Sequence, residues 1–600
     1  MASAKQIFHV FLIKPSRYDW LGYPIVWWRS TVPSNSLACL YGLTLDCAER
    51  KVLGEDVEFK IWPQDEANAR VRPDKLIEMA ERVGGKAICC LVGVQSNQFP
   101  RSVDIARPFL DAGIPVVVGG FHVSGCISML KELPVDLVEA REMGISFYLG
   151  EAEEARLDDV FIDAWAGKLQ ESYGSVTDLP DLQGAPIPYL PKEQIDRSMQ
   201  SIASLDMGRG CPFQCSFCSI INVQGRKSRF RSGEDLEAIL RANWRDNNNH
   251  LFITDDNFAR NRNWEEIFDT MIRLREEEGI RPHLAIQVDT LCHRVPGFID
   301  KAAKAGVTEV FVGLENINPA NLIAAKKRQN RINEYREMFL AWKKQNIFIT
   351  CGYIVGFPHD TRETVLRDVE IIKNELPIDT IYFSHLTPLP GSEDHARMVE
   401  KGEWMDPDMN KYSLTMRVCD HPLMSGEEWD DAVYSAYRTY YTRDHMKTVI
   451  RRMFGTGGNR RIYSINRLAW QIIYGRGPFR NYRLEGGIIP LRYRKDRRPG
   501  LPIENPLIFY PRKVFELLYG SAGLAAIWLW LFVQMKRIAQ NPAKADYRDL
   551  ALTPPEQVEA EDFGLLTQTT GAADEAQRNK DRVEIITAAK KRAQQAAAAS

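Results

Sequence analysis

The chain has 600 residues, a net charge of −2 at neutral pH, and apolar and charged fractions of 44% and 26%. That is the composition of a folded globular protein with room for about four domains, and it offers no overall attraction to nucleic acid or acidic lipid. The 11 cysteines are odd in number and mostly scattered, which excludes the disulfide framework of a secreted protein. Met1 to Ile7 lacks a basic stretch followed by an apolar run, so no signal peptide is expected and the predicted compartment is the reducing cytoplasm.

Residues 1 to 170 alternate short apolar runs with helical periodicity. Strands are expected at Ile7–Ile13, Val57–Trp62, Ala87–Val94, Ile114–Gly120 and Asp136–Glu139. Helices are expected between them at Ser36–Arg50, Asp74–Val83, Ser102–Asp111 and Ser124–Leu133. Alternating strands and helices with continuously apolar strands predict a doubly wound parallel sheet. Its ligands lie beyond the carboxyl ends of the strands. Those ends carry Ser96-Asn-Gln98 and Gly119-Gly-Phe-His122. No G-x-G-x-x-G follows the first strand, which argues against a dinucleotide. Paired glycines permit close backbone approach to a flat or bulky ligand, which makes Ser96, Gly119 and Gly120 candidate cofactor contacts. The bland alternative is a set of tight turns, with His122 a hydrogen-bonded turn residue.

Val116-Val-Val-Gly-Gly-Phe-His122 and Leu149-Gly-Glu-Ala-Glu153 resemble the cobalamin-binding domain that precedes the catalytic domain in one branch of the radical S-adenosylmethionine (SAM) enzymes. The resemblance implies cobalamin as a cofactor. One departure is plain: relatives that ligate cobalt from below carry D-x-H-x-x-G after the first strand, and here Lys14 to Pro24 contains no histidine. Any cobalamin bound is therefore not ligated by a histidine of that motif, or else the domain keeps the fold without the cofactor.

Residues 171 to 200 read as a proline-rich linker. A short strand at Ser201–Met207 then leads into Gly208-Arg-Gly-Cys-Pro-Phe-Gln-Cys-Ser-Phe-Cys-Ser219, where Cys211, Cys215 and Cys218 form C-x3-C-x2-C. Thiolates gathered so closely select soft metals, zinc or iron–sulfur. Structural zinc needs four ligands, and Cys292-His293, the nearby Cys/His pair, falls in a different unit. A cubane on three cysteines keeps one iron open. This spacing, with Phe217 before the third cysteine, is similar to the signature of the radical SAM superfamily. The resemblance implies a [4Fe–4S] cluster whose open iron chelates SAM. An electron from an external donor of flavodoxin or ferredoxin type then cleaves SAM to a 5′-deoxyadenosyl radical.

From 201 to 400 the chain repeats strand then helix, with strands at His250–Thr254, His283–Val288, Thr308–Leu314, Ile347–Val355 and Thr380–Leu386. With the strand before the cysteines these predict a partial (β/α)6 barrel, active at the carboxyl ends of its strands. Thr254-Asp-Asp-Asn-Phe258 places two acids at a strand end, and the resemblance assigns one of them, Asp255 or Asp256, to the SAM amine, the other being a helix cap. Gly313 and Glu315 end Val312-Gly-Leu-Glu315, and the resemblance assigns Glu315 to the ribose hydroxyls. Gln287 and Asp289 are weaker contacts. Gly352-Tyr-Ile-Val-Gly356 is similar to the family's G-x-I-x-G segment, where Ile354 and exposed amides around Gly356 hold the adenine. Leu386 to Ser392 is similar to its proline–glycine loop. Cys351, on a barrel strand, is the candidate second catalytic thiol, set against the usual reading of a lone cysteine as core.

Residues 401 to 512 read as a helical and basic-aromatic region. Ser425 to Phe454 is helical, with a core stripe of Trp429, Val433, Tyr437 and Tyr441, and Arg492, Arg494, Lys495, Arg497 and Arg498 form a lipid-facing or solvated patch. Residues 513 to 540 form an apolar helix of borderline spanning length, read as membrane-associated at the cytoplasmic face, with a buried helix over the barrel mouth as the alternative. Residues 541 to 600 read as a disordered or loosely helical tail. The resemblance implies a cobalamin-dependent enzyme that methylates an unactivated carbon, and the basic, aromatic C-terminus beside a membrane-prone helix suggests a small-molecule substrate of apolar or lipid character. The alternatives are a non-methylating radical cyclase and a non-catalytic metal or cobalamin carrier.

Overall fold

The computed structural model describes residues 5–199, 202–457, 461–475, 477, 479–482, 485–557 and 563–566. Two six-stranded parallel sheets form its framework. The first contains β1 (Gln6–Lys14), β2 (Val57–Asp65), β3 (Lys86–Leu91), β4 (Val116–Gly119), β5 (Ile145–Gly150) and β6 (Ser172–Ser175), in the order β2-β1-β3-β4-β5-β6. The apolar run of β1 needs helices on both faces. Phe8, Val10 and Leu12 enter one core with Leu37 and Phe161, while Phe11 and Ile13 enter the other with Ile105 and Phe109.

Two expectations change here. Asp136–Glu139 lies in a helix, Val135–Glu142, and the strand follows at Ile145. A four-residue segment with two apolar residues cannot separate strand from helix by period alone. The polar segment Ser172–Ser175, expected as linker, adds the edge strand β6 and buries Tyr173.

The second sheet contains β7 (Ile202–Leu205), β8 (His250–Ile253), β9 (His283–Val288), β10 (Val307–Glu315), β11 (Phe348–Val355) and β12 (Thr380–His385), paired in sequential order. This is the open partial barrel. Side chains alternate between its interior and the helical jacket. Gln287, Phe311, Gly313, Glu315, Gly352 and Ile354 are half-buried on the interior face, and Val312, Leu314, Cys351 and Tyr353 are buried on the other.

Helices Gly426–Tyr440 and Arg443–Gly455 cover the β11–β12 side, and the aromatic stripe is core: Tyr441 Oη donates to Ile381 O at 2.8 Å. Helix Arg461–Gly475 packs against β12 and closes the amino ends of the strands. The long apolar helix starts earlier than expected, at Pro506 behind an Asn505 cap, and runs to Ala539. It packs on the two preceding helices, not over the carboxyl-end mouth. Phe509, Gly520, Leu531 and Met535 are buried, whereas Leu507, Ile508, Phe515 and Leu518 face outward.

The basic cluster is not a free patch. Arg492 is buried against Asp19 (2.7 Å) and Tyr482 Oη (2.5 Å), Arg497 donates to Leu21 O (2.9 Å), and Arg498 pairs with Asp408 (2.9 Å). The start of the expected tail is also folded. Asp549 pairs with Arg452 at 2.8 Å, and Arg336 donates to Leu550 O and Thr553 O at 2.7 and 2.6 Å. Residues 567–600 of that tail lie outside the described residues.

Candidate functional site

The cysteine loop leaves β7 and returns through a two-residue antiparallel pairing of Gly208–Arg209 with Arg229–Phe230. Gly210 has φ +90°, and a Cβ there would fall 2.4 Å from Lys227 O, so only glycine permits the turn into Cys211. Backbone bonds fix the loop: Cys211 N to Gly225 O (3.2 Å), Ser216 N to Ala325 O (3.0 Å) and Cys218 N to Cys215 O (3.2 Å). Gln329 Nε2 donates to Cys215 Sγ at 3.3 Å. Burial first, then Cys215, pushes the Cys218 thiol up to about 12. Burial also raises Cys211, against the Phe213 amide. Buried thiols that oppose one another's ionisation become thiolates when a metal compensates their charge. Three soft donors on one loop are the chemistry of an iron–sulfur cluster, although among the described residues their side chains do not converge into a preformed metal-holding group.

Two acids follow β8, and their environments differ. Asp255 is consumed: Met207 N donates to Oδ1 at 2.7 Å and Asn261 Nδ2 to Oδ2 at 3.0 Å, tying β8 to the end of β7. Burial pushes its carboxyl up to about 7. Asp256 is also raised to about 7 by burial, with its own amide and Arg209 pulling the other way, and its charge acts on both Cys211 and Cys218. Asp256 is thus the acid next to the cluster loop. Gln287 Nε2 lies 3.4 Å from Asp255 O, just below this point. Asp289 is locked by Arg260 Nε (2.6 Å) and Asn257 Nδ2 (2.9 Å).

At the end of β10 the strand slips register, and Glu315 takes φ +58°. A non-glycine residue held there stores roughly 1–3 kcal/mol of strain, as functional residues often do. Its Oε1 meets Lys327 Nζ at 2.5 Å. Burial opposes the Lys327 charge, but Glu315 and Cys215 outweigh it and raise its pKa. Lys327 also lies 5.7 Å from the Phe217 ring. Gly313 leaves room for this pair, since a Cβ would sit 2.8 Å from Glu315 Oε1.

Two expectations fail at β11. The Gly356 and Phe357 amides are not exposed, because Asp360 Oδ2 accepts both, at 2.8 and 3.0 Å. Gly356 is required by Trp429, whose ring would lie 2.1 Å from an added Cβ. Ile354 keeps its place on the interior face, but Cys351 does not reach it. Cys351 is fully buried on the helical side, and burial first, then Asp379, raises its thiol far above the ordinary value. It is a core residue.

In the N-terminal domain a pocket of about 150 Å³ lies between the sheet and helices Asn35–Glu49 and Leu157–Ala166. Leu12, Cys39, Val117, Tyr148 and Phe161 make it apolar, and Gly93, Gly119, Gly120 and Gly150 line its strand-end mouth. Gly120 has φ +145°, and a Cβ would collide with Val94 N at 2.2 Å. This slot fits a flat apolar ring entering from the carboxyl ends of the strands. Ser96 is outside it: its hydroxyl meets His122 Nδ1 at 3.2 Å, while His122 Nε2 meets Asp136 at 2.9 Å. Glu151, at the slot, and Glu153 both bind Arg209, at 2.8 and 2.7 Å, so the two candidate cofactor regions share a wall.

Sequence reasoning missed Lys327, Arg209 and Asp360. Lys327 sits in Lys326-Lys-Arg328, a run that reads as solvated, and the other two look like ordinary loop residues. Nothing local marks their partners.

Residues 205–372 match the model of the Radical SAM superfamily. The hopanoid C-2 methylase of Rhodopseudomonas palustris is 25% identical over 341 residues, 56% of this chain and 61% of that protein. The bacteriochlorophyllide d C-8(2)-methyltransferase of Chlorobaculum tepidum is 26% identical over 347 residues, 54% of this chain and 71% of that protein. The methyltransferase TsrM from Kitasatospora setae, solved with cobalamin and a [4Fe–4S] cluster, shares the fold with a TM-score of 0.52 at 15% identity, over 74% of this chain and 92% of that one.

Proposed function

On the premise that the chain carries a radical SAM domain at residues 205–372, we propose that it is a cobalamin-dependent radical SAM methyltransferase acting on an unactivated carbon of an apolar, lipid-like molecule. The observation that carries this reading is the shared wall. The three-thiol loop and the apolar N-terminal slot meet at Arg209, as they must if two cofactors serve one substrate.

When bound, the cluster and SAM supply one-electron cleavage of a sulfur–carbon bond, and cobalamin supplies a transferable methyl group. Cys211, Cys215 and Cys218 hold the cluster. Asp256 binds the SAM amine by a charge-assisted contact, Glu315 takes the ribose hydroxyls, and Gly313 gives them room. Ile354 packs the adenine, with Gln287 below it. Lys327 holds Glu315 in place and offsets the thiolate charge. Gly119 and Gly120 border the slot for the cobalamin tail.

The outward apolar face of helix Pro506–Ala539 supports attachment to the cytoplasmic face of a membrane, where a lipid substrate is found. The helix is also long and apolar enough to cross one. A flavodoxin- or ferredoxin-type donor supplies the electron.

The test is anaerobic reconstitution followed by assay for 5′-deoxyadenosine. Formation with wild-type protein and loss in Cys218→Ser supports the reading; no cleavage by the reconstituted wild type refutes it. Product mass separates methylation, which adds one methylene unit, from cyclisation.

A further inference from the structure

The barrel interior holds a second cavity, of about 290 Å³, whose lining takes no part in the roles above except at Gln287. Phe252, Ala285, Phe311 and Tyr382 wall it from four strands, and Arg467 and Trp470 of helix Arg461–Gly475 line its floor. It occupies the amino half of the lumen: Glu309 and Thr350, which also line it, are the third residues of β10 and β11. Its upper end is Gln287, beneath the Asp255–Asp256 turn.

The chemistry of the walls is selective. Aromatic and aliphatic surface rewards an apolar ligand. The buried Glu309 carboxylate is already saturated by Arg467, Tyr463 Oη and Thr350 Oγ1. Arg467 Nε is left over: it is a buried N–H donor with no acceptor, and such a group is costly to leave unpaired. The long apolar helix adjoins this floor: Trp528 Nε1 donates at 2.7 Å to Oδ1 of Asn466, which also lines the cavity, and Leu524 and Ile527 pack against the cluster that contains Trp470.

We propose that this cavity binds the terminal rings or an acyl segment of the substrate, and that an acceptor oxygen on that end bonds the Arg467 guanidinium on its floor. A cavity of about 290 Å³ has room for part of a polycyclic or acyl lipid. The rest would extend past Gln287 toward the cluster loop. The inference rests on the functional reading above for its substrate class, and on the cavity alone for its location.

Binding to full-length, cluster-free protein can be measured by fluorescence with 1-pyrenemethanol, and with pyrene as the probe lacking oxygen. Wild type should bind the alcohol more tightly than pyrene by about tenfold, the size of one hydrogen bond to a charged group. Ala285→Trp fills the lumen and should weaken binding by about tenfold or more, the size of an overpacking clash. Phe311→Ala enlarges the cavity and should admit a larger ring alcohol that wild type excludes, which keeps the test decisive if the tryptophan variant fails to fold. Equal affinity for the two probes, or unchanged binding in Ala285→Trp with a native circular dichroism spectrum, overturns the proposal. SAM cleavage without probe binding refutes the cavity assignment alone. Probe binding without SAM cleavage supports the cavity and refutes the functional reading alone.

Discussion

Arg209 Nη2 lies 2.7 Å from Glu153 Oε1, joining the N-terminal domain to the position two residues before Cys211. The same guanidinium binds Glu151 at 2.8 Å and Asp206 at 2.9 Å, and Arg229 adds a second bond to Glu151 at 2.5 Å. Both members of the Arg209–Glu153 pair are buried, with side chains 10% and 2% exposed. Removing one member leaves the other as an unpaired buried charge. Arg209→Ala should cost about 3–5 kcal/mol, read by urea unfolding of the cluster-free protein, and should lower iron retention after reconstitution. Wild-type stability in this variant would mean that the clasp does not hold the domains together.

The two strand-end glycines should respond differently to alanine. At Gly356 the new Cβ meets the Trp429 ring at 2.1 Å with φ at +115°, so Gly356→Ala should destabilise by about 3 kcal/mol or more. At Gly313 the obstacles are the mobile ends of Glu315 and Lys327, 2.8 and 3.2 Å away. Gly313→Ala should therefore keep the melting temperature and lose SAM affinity by about tenfold, or 1.4 kcal/mol. Equilibrium dialysis against SAM, beside thermal melts, distinguishes them. Equal melting temperatures would contradict the packing account.

Asp360 makes stability depend on pH. Burial pushes its carboxyl up to about 7, against the pull of the Gly356 amide. The folded chain then keeps a proton that the unfolded chain, with a value near 3.9, releases. The stabilisation is complete below about pH 4 and lost as pH rises to about 7. The stability difference between wild type and Asp360→Asn should shrink over that window by at most about 4 kcal/mol. A difference that stays flat would show that Asp360 binds its proton equally in both states.

The exposed apolar face near the start of the helix should bind lipid with little salt dependence, because the basic residues beside it are already paired: Arg512 with Glu504 at 2.5 Å, and Lys513 with Arg492 O at 2.8 Å. Phe515 and Leu518, each 65% exposed, carry the contact. The double variant Phe515→Glu with Leu518→Glu should reduce co-sedimentation with neutral phosphatidylcholine vesicles by about tenfold or more. Binding lost on raising the salt, or kept in the double variant, would point to a charged surface instead.

Much of this protein is written in local pattern. The three thiols lie within eight residues, and the six barrel strands are short apolar runs whose period is visible in a window of that size. Fold and cluster loop follow from side-chain alternation and metal-ligand spacing, both of which are properties of neighbours along the chain. Tertiary structure decided what depends on distance through space. Asp255 and Asp256 are adjacent and alike, and only the approach of Met207 and Asn261 makes the first structural and leaves the second beside the cysteine loop. Cys351 and Ile354 lie on one strand, and their register against the helices sends one into the core and the other to the lumen. The basic run at 492–498 reads as a surface because its acids, Asp19 and Asp408, are remote in sequence. A charge's partner is set by the folded path, since Coulomb energy falls with distance in space and takes no account of position along the chain.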